Sequence, residues 1–573
     1  MASPEKKPQE NNGAILISNE ECLGCFTGQY RPYQKEAVID IVSSLRNATD
    51  SALILPTGTG KTIVFLSVAI AAANKGYRVA ILVATNQIID QVKQKYLPMF
   101  KSKIVPSIVK GIENYLCNIT GQTADYGFCT PSQKEKCKSD NPNCEVLRIN
   151  RQFESDNFIL TNYHKFLSVK LDRGFDLVII DDSHGFENAV DDKFQNRIAY
   201  YQVDSLFKRN DVEGNVIGNF TGNFLDLFDD SFNAIPPDPK IESIRMPNDI
   251  VKGISDIECY KEFTDYIGKL PDELDRSICR SLSYFVNCCQ NTSINTFYVQ
   301  KDHYNLNDPQ EAALIARKSD RYQRNVVRKT FGKAKVIFAS ATISDIITHA
   351  NYCTFRDYDK NTIVTIPEGE PLELKGWFNG LEILEAQNFP QGSKDPIEAT
   401  AYAALELLNR TEGKTLLLFK SYRDQEKARK ILSSLNRKIT FIDDSFEPET
   451  VQKYVESADI IMASASSRLW EGIDITDLKL EIIFSLPFIR PPVHLDKNTG
   501  FLFSKRKMLI RLQQGIGRLI RKENDCAICI ILDNRLEKYK GSSHFSSKLR
   551  ERIQYVDIKD ILKRFKPDEE GGI

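Results

Sequence analysis

The sequence lacks an excess of charge of either sign. Its 76 Lys and Arg residues nearly balance 77 Asp and Glu residues, so the formal net charge is -1. Any binding to nucleic acid must therefore use local basic grooves rather than a global electrostatic attraction. The chain is nevertheless 42% hydrophobic and 10% aromatic, which excludes a disordered protein. A length of 573 residues predicts roughly three to four domains.

Long apolar runs are also missing. The run at residues 63–73 is shorter than the roughly 20 residues that span a bilayer. Residues 1–12 are polar and contain no hydrophobic core of a secretory signal. We therefore expect a soluble protein without a membrane partner, in the cytoplasm or nucleoid of a prokaryote or the nucleus of a eukaryote. In such a chain, 13 cysteines indicate metal ligands or free thiols rather than disulfides.

Short apolar runs alternate with helical stretches in two sets along the chain. Continuous apolar strands of this kind are typical of parallel sheets covered on both faces, so the pattern predicts two α/β domains that divide near residues 365–395. Two segments interrupt the first domain: the cysteine segment at about 113–147, and a segment at about 200–314 that is predicted to be helical. The runs are Ala52–Leu55, Val79–Val83, Phe158–Leu160, Leu177–Ile180, Val336–Ala339, Thr415–Phe419, Ile460–Ala463, Ile482–Ser485 and Ile528–Leu532.

A phosphate-binding loop follows the first of these strands and precedes an apolar helix. Glycines allow backbone N–H groups to surround phosphate oxygens, and the helix N-terminus adds partial positive charge. Lys61 is predicted to reach the β- and γ-phosphates, and Thr62 to ligate Mg²⁺. Leu55 stands where the general pattern has its first glycine, but the Gly-x-Gly-Lys-Thr core is intact. The predicted nucleotide-binding residues are Thr57, Gly58, Thr59, Gly60, Lys61 and Thr62.

An acidic box, Asp181-Asp182-Ser183-His184, ends another strand. Residues at the carboxyl ends of parallel strands lie at the nucleotide edge of such a sheet. Asp181 is predicted to hold Mg²⁺, and Asp182 to orient or deprotonate the attacking water. An acidic turn that merely closes the strand would explain this pattern alone, but the phosphate loop upstream favours the Mg²⁺ box.

Two arginines near the end of the chain, Arg518 and Arg521, are three residues apart. A helix would place both on one face, from which guanidinium groups can meet a γ-phosphate across a domain cleft. Taken alone, the segment would more often be an ordinary solvated helix face.

Four cysteines, Cys117, Cys129, Cys137 and Cys144, have the spacing C-x11-C-x7-C-x6-C. Four thiolates can complete either a [4Fe–4S] cluster or a tetrahedral Zn²⁺ site, and the spacing alone does not decide between them. The remaining close pairs are interpreted as plain thiols or core residues: Cys22 with Cys25, Cys288 with Cys289, and Cys526 with Cys529.

In this order, the motifs resemble superfamily 2 helicases of the iron–sulfur group that contains XPD and DinG. The similarity extends over about residues 30–535, nearly the whole chain. The segments that carry it are Tyr30–Gln34, Pro56–Thr62, Lys110-Gly111 with Asn114-Tyr115 and Cys117, Thr161–Tyr163, Ser340–Thr342, Trp470–Asp474 and Gln514–Arg521.

The resemblance implies an α/β fold with two RecA-like parallel-sheet motor domains, the first carrying an iron–sulfur insertion and a helical arch insertion. The expected first motor domain comprises residues 1–112, 148–199 and 315–364, with the cluster domain at 113–147 and the arch at 200–314. Residues 365–573 would form the second motor domain.

The resemblance also implies site roles. Gln34 would read the adenine, supported by Arg31, and Thr342 would link hydrolysis to DNA movement. Gly472 and Asp474 would couple the second domain to the nucleotide. Arg518 would be the main arginine finger, with Arg521 and Gln514 beside it. The expected cofactors are ATP, Mg²⁺ and a [4Fe–4S] cluster on the four cysteines.

The implied activity is ATP-dependent 5′→3′ translocation on single-stranded DNA with unwinding of duplex, in DNA repair or replication. Partners would be single-stranded and forked DNA, with unidentified repair or replication proteins. Asp182 replaces the glutamate of the family and Ser183 the alanine, so hydrolysis by the shorter carboxylate is expected to be slow. Two alternatives therefore stay open: a translocase that strips proteins from DNA without unwinding, and a weakly hydrolysing DNA-binding module.

Overall fold

The computed structural model describes most of the chain. The described residues are 13–117, 123–124, 144–169, 173–236, 243–268, 270, 272–301, 310, 312–342, 346–354, 356–359, 362–366, 378–388, 396–442, 448–464, 475, 477–520, 525–539, 541–542 and 545–565. Cys129, Cys137, Gly472, Asp474 and Arg521 lie outside these residues, so their predicted roles stay predictions.

Strands and helices alternate along most of the described chain. The strands are β1 (Asp50–Ile54), β2 (Val79–Val83), β3 (Ser107–Val109), β4 (Phe158–Asn162), β5 (Leu177–Asp181), β6 (Gln195–Ala199), β7 (Ser243–Arg245), β8 (Asn295–Gln300), β9 (Ala313–Lys318), β10 (Lys335–Ser340), β11 (Ile363–Ile366), β12 (Leu381–Gln387), β13 (Lys414–Phe419), β14 (Ile439–Ile442), β15 (Ile460–Ser464), β16 (Leu478–Ile483), β17 (Ala527–Ile531) and β18 (Ile553–Asp557). The helices are α1 (Asn19–Leu23), α2 (Pro32–Arg46), α3 (Lys61–Asn74), α4 (Asn86–Gln91), α5 (Glu145–Ser155), α6 (Tyr163–Ser168), α7 (Phe186–Lys193), α8 (Tyr200–Asn210), α9 (Val216–Asn233), α10 (Asn248–Ser255), α11 (Tyr260–Ile267), α12 (Glu273–Gln290), α13 (Asp320–Phe331), α14 (Ile346–Thr354), α15 (Pro396–Leu408), α16 (Tyr422–Leu432), α17 (Pro448–Ser457), α18 (Lys497–Ile516), α19 (Ser547–Glu551) and α20 (Ile558–Arg564).

The first domain is built on a seven-stranded parallel sheet with the order β11-β1-β10-β5-β2-β4-β3. Its central strands are apolar and buried along their length, as expected for a sheet covered on both faces. Strand β10 lies between β1 and β5, and the register pairs Ile54 with Ser340 and Ala339 with Asp181. The carboxyl ends of these three strands therefore meet at one edge, which brings the phosphate loop, the acidic box and Ser340–Thr342 together.

The second domain is built on another seven-stranded parallel sheet, with the order β14-β15-β13-β16-β17-β12-β18. Strand β11 ends in the first sheet at Ile366, and β12 begins in the second at Leu381. The predicted α/β fold with two parallel sheets is confirmed. The exact domain boundaries stay a prediction.

The insertion between β6 and β9 has a core of its own, which includes six phenylalanines of helices α9, α11 and α12. The rings of Phe220 and Phe263 stack with their centroids 3.7 Å apart. The segment is not purely helical, because β6, β9, β8 and β7 form a four-stranded antiparallel sheet beside the helices. Sequence patterns missed β6 and β7 because β7 has only three residues and β6 is largely polar, so neither strand has a clear apolar period.

Helix α18 is the element of the second domain that approaches the first. The Asp496 side chain caps its N-terminus by accepting hydrogen bonds from the N–H groups of Asn498 and Thr499. The helix ends at Ile516, where Gly517 is the C-cap. The expectation of a helix face that carries Arg518 is therefore wrong: Arg518 lies in the turn after the helix, because this segment contains two glycines in three residues.

Candidate nucleotide site between the two domains

The phosphate loop has the backbone geometry that its glycines predict. It connects β1 to α3, and both Gly58 (φ +80°) and Gly60 (φ +84°) adopt the left-handed conformation. Side-chain-bearing residues adopt that conformation at a cost of about 1–2 kcal/mol. Lys61 begins α3, and its Nζ donates to the carbonyl of Leu55 at 3.2 Å, which places the ammonium group over the loop.

Three side chains support the loop from below. Gln34 Nε2 donates to the carbonyl of Thr59 at 2.7 Å, and the hydroxyl of Tyr33 donates to the same oxygen at 3.1 Å. Arg31 in turn donates to the Tyr33 hydroxyl at 2.7 Å. Gln34 is buried, so its amide acts here as a support of the phosphate loop. The predicted adenine-reading role of Gln34 and Arg31 stays a prediction.

The acidic box lies at the end of β5, beside the phosphate loop. Burial, together with the neighbouring Asp182, raises the pKa of Asp181 to about 8, and Lys61 opposes this increase. Asp182 has a φ of +48°, a conformation that Asp tolerates better than most side-chain-bearing residues. The buried Tyr163 hydroxyl donates to the carbonyl oxygens of both aspartates and thereby fixes this turn.

A cavity of about 510 Å³ opens between the domains at this edge. The first domain contributes its phosphate loop and both aspartates, and the second contributes Gln514 and Arg518. The cavity therefore gathers most predicted phosphate-binding and catalytic residues that the structure describes. Its lining residues are Thr57, Gly58, Gly60, Lys61, Thr62, Ile88, Gln91, Val92, Lys95, Tyr96, Asp181, Asp182, Ala341, Ile475, Asp477, Leu478, Lys479, Gln514, Arg518, Leu519, Asp525 and Cys526.

Several of these lining residues were missed by sequence reasoning. Lys95 and Tyr96 belong to a π-helical turn, Val92–Tyr96, and such turns occur frequently at functional sites. Lys479 and Cys526 come from separate strand ends of the second domain, and no local motif marks them. Their proximity to the cavity follows only from the way the second sheet faces the first.

Two hydrogen bonds join the second domain to the nucleotide edge of the first. Thr57 Oγ1 donates to the carbonyl of Gly517 at 2.8 Å, and Gln514 Nε2 donates to His184 Nε2. A neutral imidazole that accepts at Nε2 carries its proton on Nδ1, so His184 donates from Nδ1 to Ser340 Oγ, at 3.0 Å. The acidic box, Ser340 and α18 are thus connected side chain to side chain.

A second buried cluster lies next to the acidic box. Glu187, His349 and Cys353 place potential metal-ligating atoms within 4.8 Å of one another. The Glu187 carboxylate, however, is already contacted by Lys507 at 2.7 Å and Arg506 at 3.2 Å. Two cations on the same carboxylate oppose the approach of a third, so we describe the cluster as an ion-pair network rather than a metal centre.

Two of the four predicted cluster ligands can be placed. Cys117 and Cys144 are both buried, at 3% and 4% exposure. Cys144 packs with Ala124 and Val146 in a small apolar cluster that is separate from the sheet cores. Buried thiols on a segment too short for a large core of its own fit ligands of a metal or a metal cluster, which would supply the missing stabilisation.

Comparison with known proteins agrees with this geometry. Residues 404–552 match the family model for a helicase C-terminal domain, and residues 27–210 match the model for the res subunit of type III restriction enzymes. A probable ATP-dependent helicase of Methanocaldococcus jannaschii is 22% identical, over 89% of this chain and 92% of that protein. The ATP-dependent DNA helicase YoaA of Escherichia coli is 21% identical, over 88% of this chain and 91% of that protein.

Solved structures of XPD helicases have the same fold. One superposes with a TM-score of 0.62 at 14% identity, covering 92% of this chain and all of that chain. The Xpd4 protein of S. tokodaii gives a TM-score of 0.54 at 14% identity, over 92% of this chain and all of that one.

The two parallel-sheet domains with a phosphate loop at their junction, the match to a helicase C-terminal domain and the relatives named as ATP-dependent helicases together indicate an ATP-dependent helicase. Within that class, the chain is similar to the XPD/DinG-like helicases, and its fold is that of the XPD structures.

We expect Gly60→Ala to weaken ATP binding by about tenfold or more. A Cβ at this position would lie 2.4 Å from Gln34 Nε2, so the side chain that supports the loop would have to move. Gly76→Ala is the matched control, since Gly76 has a φ of +86° but no atom within 4 Å of a built Cβ among the described residues. Both variants should lose about 1–2 kcal/mol of stability. Titration with a fluorescent ATP analogue measures the affinities, and equal affinities in the two variants would contradict the assigned geometry.

Proposed function

We propose that this helicase acts on DNA: it translocates 5′→3′ along single-stranded DNA and unwinds duplex DNA in repair or replication. The observation that carries the proposal is the cavity whose phosphate-contacting groups come from both domains. A nucleotide bound there contacts both domains at once, so its binding and hydrolysis change the angle between them. The similarity to a relative named as a DNA helicase supports DNA as the substrate.

ATP hydrolysis is assigned to the residues that line the cavity. Backbone N–H groups of the loop and Lys61 bind the phosphates, and Asp182 orients the attacking water. Thr62 and the buried Asp181, which face the same cavity, would hold Mg²⁺, which neutralises charge on the phosphates when bound. Arg518, from the second domain, stabilises the charge that develops on the γ-phosphate. Gln514 positions His184 of the acidic box by a hydrogen bond.

Turnover is expected to be slow relative to a helicase with glutamate in the acidic box. The Asp182 carboxylate is one methylene shorter than the glutamate, and its left-handed backbone fixes where it can point. This is the one observation that favours the alternative of a DNA-binding module with weak hydrolysis. Stimulation of ATP turnover by DNA separates the two functions.

The path of the DNA strand is assigned to the space between the insertion and the motor domains. Arg490 of the second domain donates to the carbonyl of Lys301 at the base of the insertion, so the two parts contact each other beyond the nucleotide cavity. Lys301 also lies over the ring of Phe232, 4.7 Å from its centroid. A strand enclosed there would be held by backbone charge and base stacking, largely without sequence preference.

The cysteine segment is proposed to carry the [4Fe–4S] cluster on Cys117, Cys129, Cys137 and Cys144. The burial of Cys117 and Cys144 supports a ligand role for both thiols. A cluster bound there would hold this small lobe together next to the DNA path. Zinc on the same four thiolates is the alternative.

Lys61→Ala should reduce DNA-stimulated ATP hydrolysis by about a hundredfold or more, because it removes a preorganised charge from the transferred phosphate. Lys75→Ala, at the other end of the same helix, is the control; Lys75 pairs with Glu21 at 2.8 Å and is far from the loop. Phosphate release, measured with and without single-stranded DNA, is the assay. Undiminished turnover in Lys61→Ala would refute the nucleotide assignment.

The wild-type protein should separate a duplex with a single-stranded 5′ tail and leave one with a 3′ tail intact. A fluorophore and quencher on the two strands report unwinding. ATP turnover with protein displacement but no strand separation would instead identify a translocase, and preference for the 3′ tail would reverse the proposed polarity.

Cys117→Ser should remove most of the bound iron and the visible absorption of protein purified without oxygen. Cys259→Ser, a half-buried thiol of the insertion, should change neither. Iron and zinc contents are measured by mass spectrometry. Colourless wild-type protein that contains zinc would show that the alternative metal occupies these thiols.

A further inference from the structure

Helix α18 and the glycine that follows it contact the nucleotide edge of the first domain at three places. Gly517, just past its C-terminus, accepts the hydrogen bond from Thr57, and Gln514 contacts His184. Lys507 contacts Glu187 at 2.7 Å. Lys507 and Gln514 are seven residues apart, about two helical turns and roughly 10 Å, so both lie on the same face of α18. The ionic contact at Glu187 is therefore a second attachment, about two helical turns along α18 from Gln514.

Glu187 is a buried carboxylate whose cationic partners both come from the other domain. It is 2% exposed, and it contacts Lys507 Nζ and, at 3.2 Å, Arg506. Burial alone would raise the pKa of Glu187, but Lys507, His349 and Arg506 together hold it well below its usual range. Lys507 also donates to the backbone carbonyl of His184, 3.3 Å away, so it touches the acidic box directly.

His349 connects the same carboxylate to the acidic box by a second route. An ionised Glu187 can only accept, so His349 donates to it from Nδ1, at 3.1 Å. In the neutral imidazole, Nε2 then accepts, and two buried groups can donate to it: the hydroxyl of Ser183 at 3.2 Å and the thiol of Cys353 at 3.3 Å. Ser183 directly follows Asp182. The serine that replaces the family's alanine is therefore part of this network.

We propose that Glu187, held by His349, is a positioning residue that couples the nucleotide site to domain movement through Lys507 and Arg506. The network is the interdomain latch, defined as Glu187, His349, Arg506 and Lys507. It transmits the position of the acidic box to α18, and thus to Gln514 and Arg518. This inference depends on the proposed function, because the coupling it describes is between ATP turnover and nucleic-acid movement.

The composition of the latch suits an interface that opens and closes rather than one that is permanently shut. Buried ion pairs gain little net stability over apolar contacts, because desolvation offsets the attraction, whereas water can solvate the separated charges. Among the described side chains, Arg506 Nε and Gln514 Oε1 are buried without a hydrogen-bond partner. Both atoms lack a partner in this arrangement and can be hydrated when the interface opens.

Glu187→Gln keeps the size of the side chain and removes its charge, and Lys507→Met removes the cation. Each should lower the ratio of DNA-stimulated to basal ATP turnover by about fivefold or more, which is the usual lower range of coupling between sites. The double variant should lose less than the sum of the two single losses, since both changes remove the contact between Glu187 and Lys507. Lys507→Arg should retain most of the ratio, because it keeps a cation that can contact the carboxylate.

The matched control is Asp191→Asn on the same helix, α7. Asp191 forms a similarly buried pair with Arg317, 3.5 Å away, but both residues precede the second domain. This variant should lose stability without losing the stimulation ratio. Additive effects in the double variant, or an unchanged ratio in Glu187→Gln, would overturn the latch and leave Glu187 a purely structural residue.

If DNA does not stimulate ATP turnover in the wild-type protein, the proposed function is refuted. The latch is then still testable by a measurement that needs no nucleic acid. Hydrogen exchange is compared with and without the ATP analogue ADP–beryllium fluoride. In the wild-type protein the analogue should slow exchange in α3 and in α18; in Glu187→Gln the slowing should persist in α3 and be lost in residues 497–508. Equal protection of α18 in both proteins would overturn the latch.

Discussion

The nucleotide site depends on one close contact between the two domains, where the turn after α18 meets the phosphate loop. The hydrogen bond from Thr57 to Gly517 is possible because Gly517 has no side chain; a Cβ there would lie 2.4 Å from the threonine hydroxyl. Close approach at this point places Arg518 at the phosphates of a bound nucleotide. A charged substrate held at this point adds to the apolar contacts by which buried residues of both domains form one continuous cluster.

Polar side chains add directional connections to the apolar contacts across this junction, and each has a defined donor and acceptor. His184 accepts a hydrogen bond from Gln514 and donates one to Ser340, so one imidazole connects the acidic box, the end of β10 and α18. The Glu187 carboxylate forms ion pairs with two cationic side chains of α18, Arg506 and Lys507. Because such contacts are directional, a small change at the acidic box changes which of them can form.

The fold could be predicted from the sequence to the extent that its signals are local. Strands such as β2 and β5 are continuous apolar runs, and the glycines of the phosphate loop require the backbone conformation that Gly58 and Gly60 adopt. The edge at which Asp181 lies follows from its position at a strand end. The antiparallel sheet of the insertion was missed because β7 is short, β6 is largely polar, and all four strands are defined by pairing rather than by a local pattern.

By itself, the sequence determined the two parallel sheets, the nucleotide loop and the acidic box, since periodicity and glycine geometry act over a few residues. Only the tertiary structure decided that Gln34 supports the loop and that Ser183 and Glu187 join a network with residues more than 150 positions away. The Gln34 and Ser183 contacts are set by packing within the first domain, and the contacts of Glu187 with α18 by the packing of one domain against the other. Hydrogen bonds and ion pairs between distant segments leave no period or spacing in the chain, so no local pattern could have revealed them.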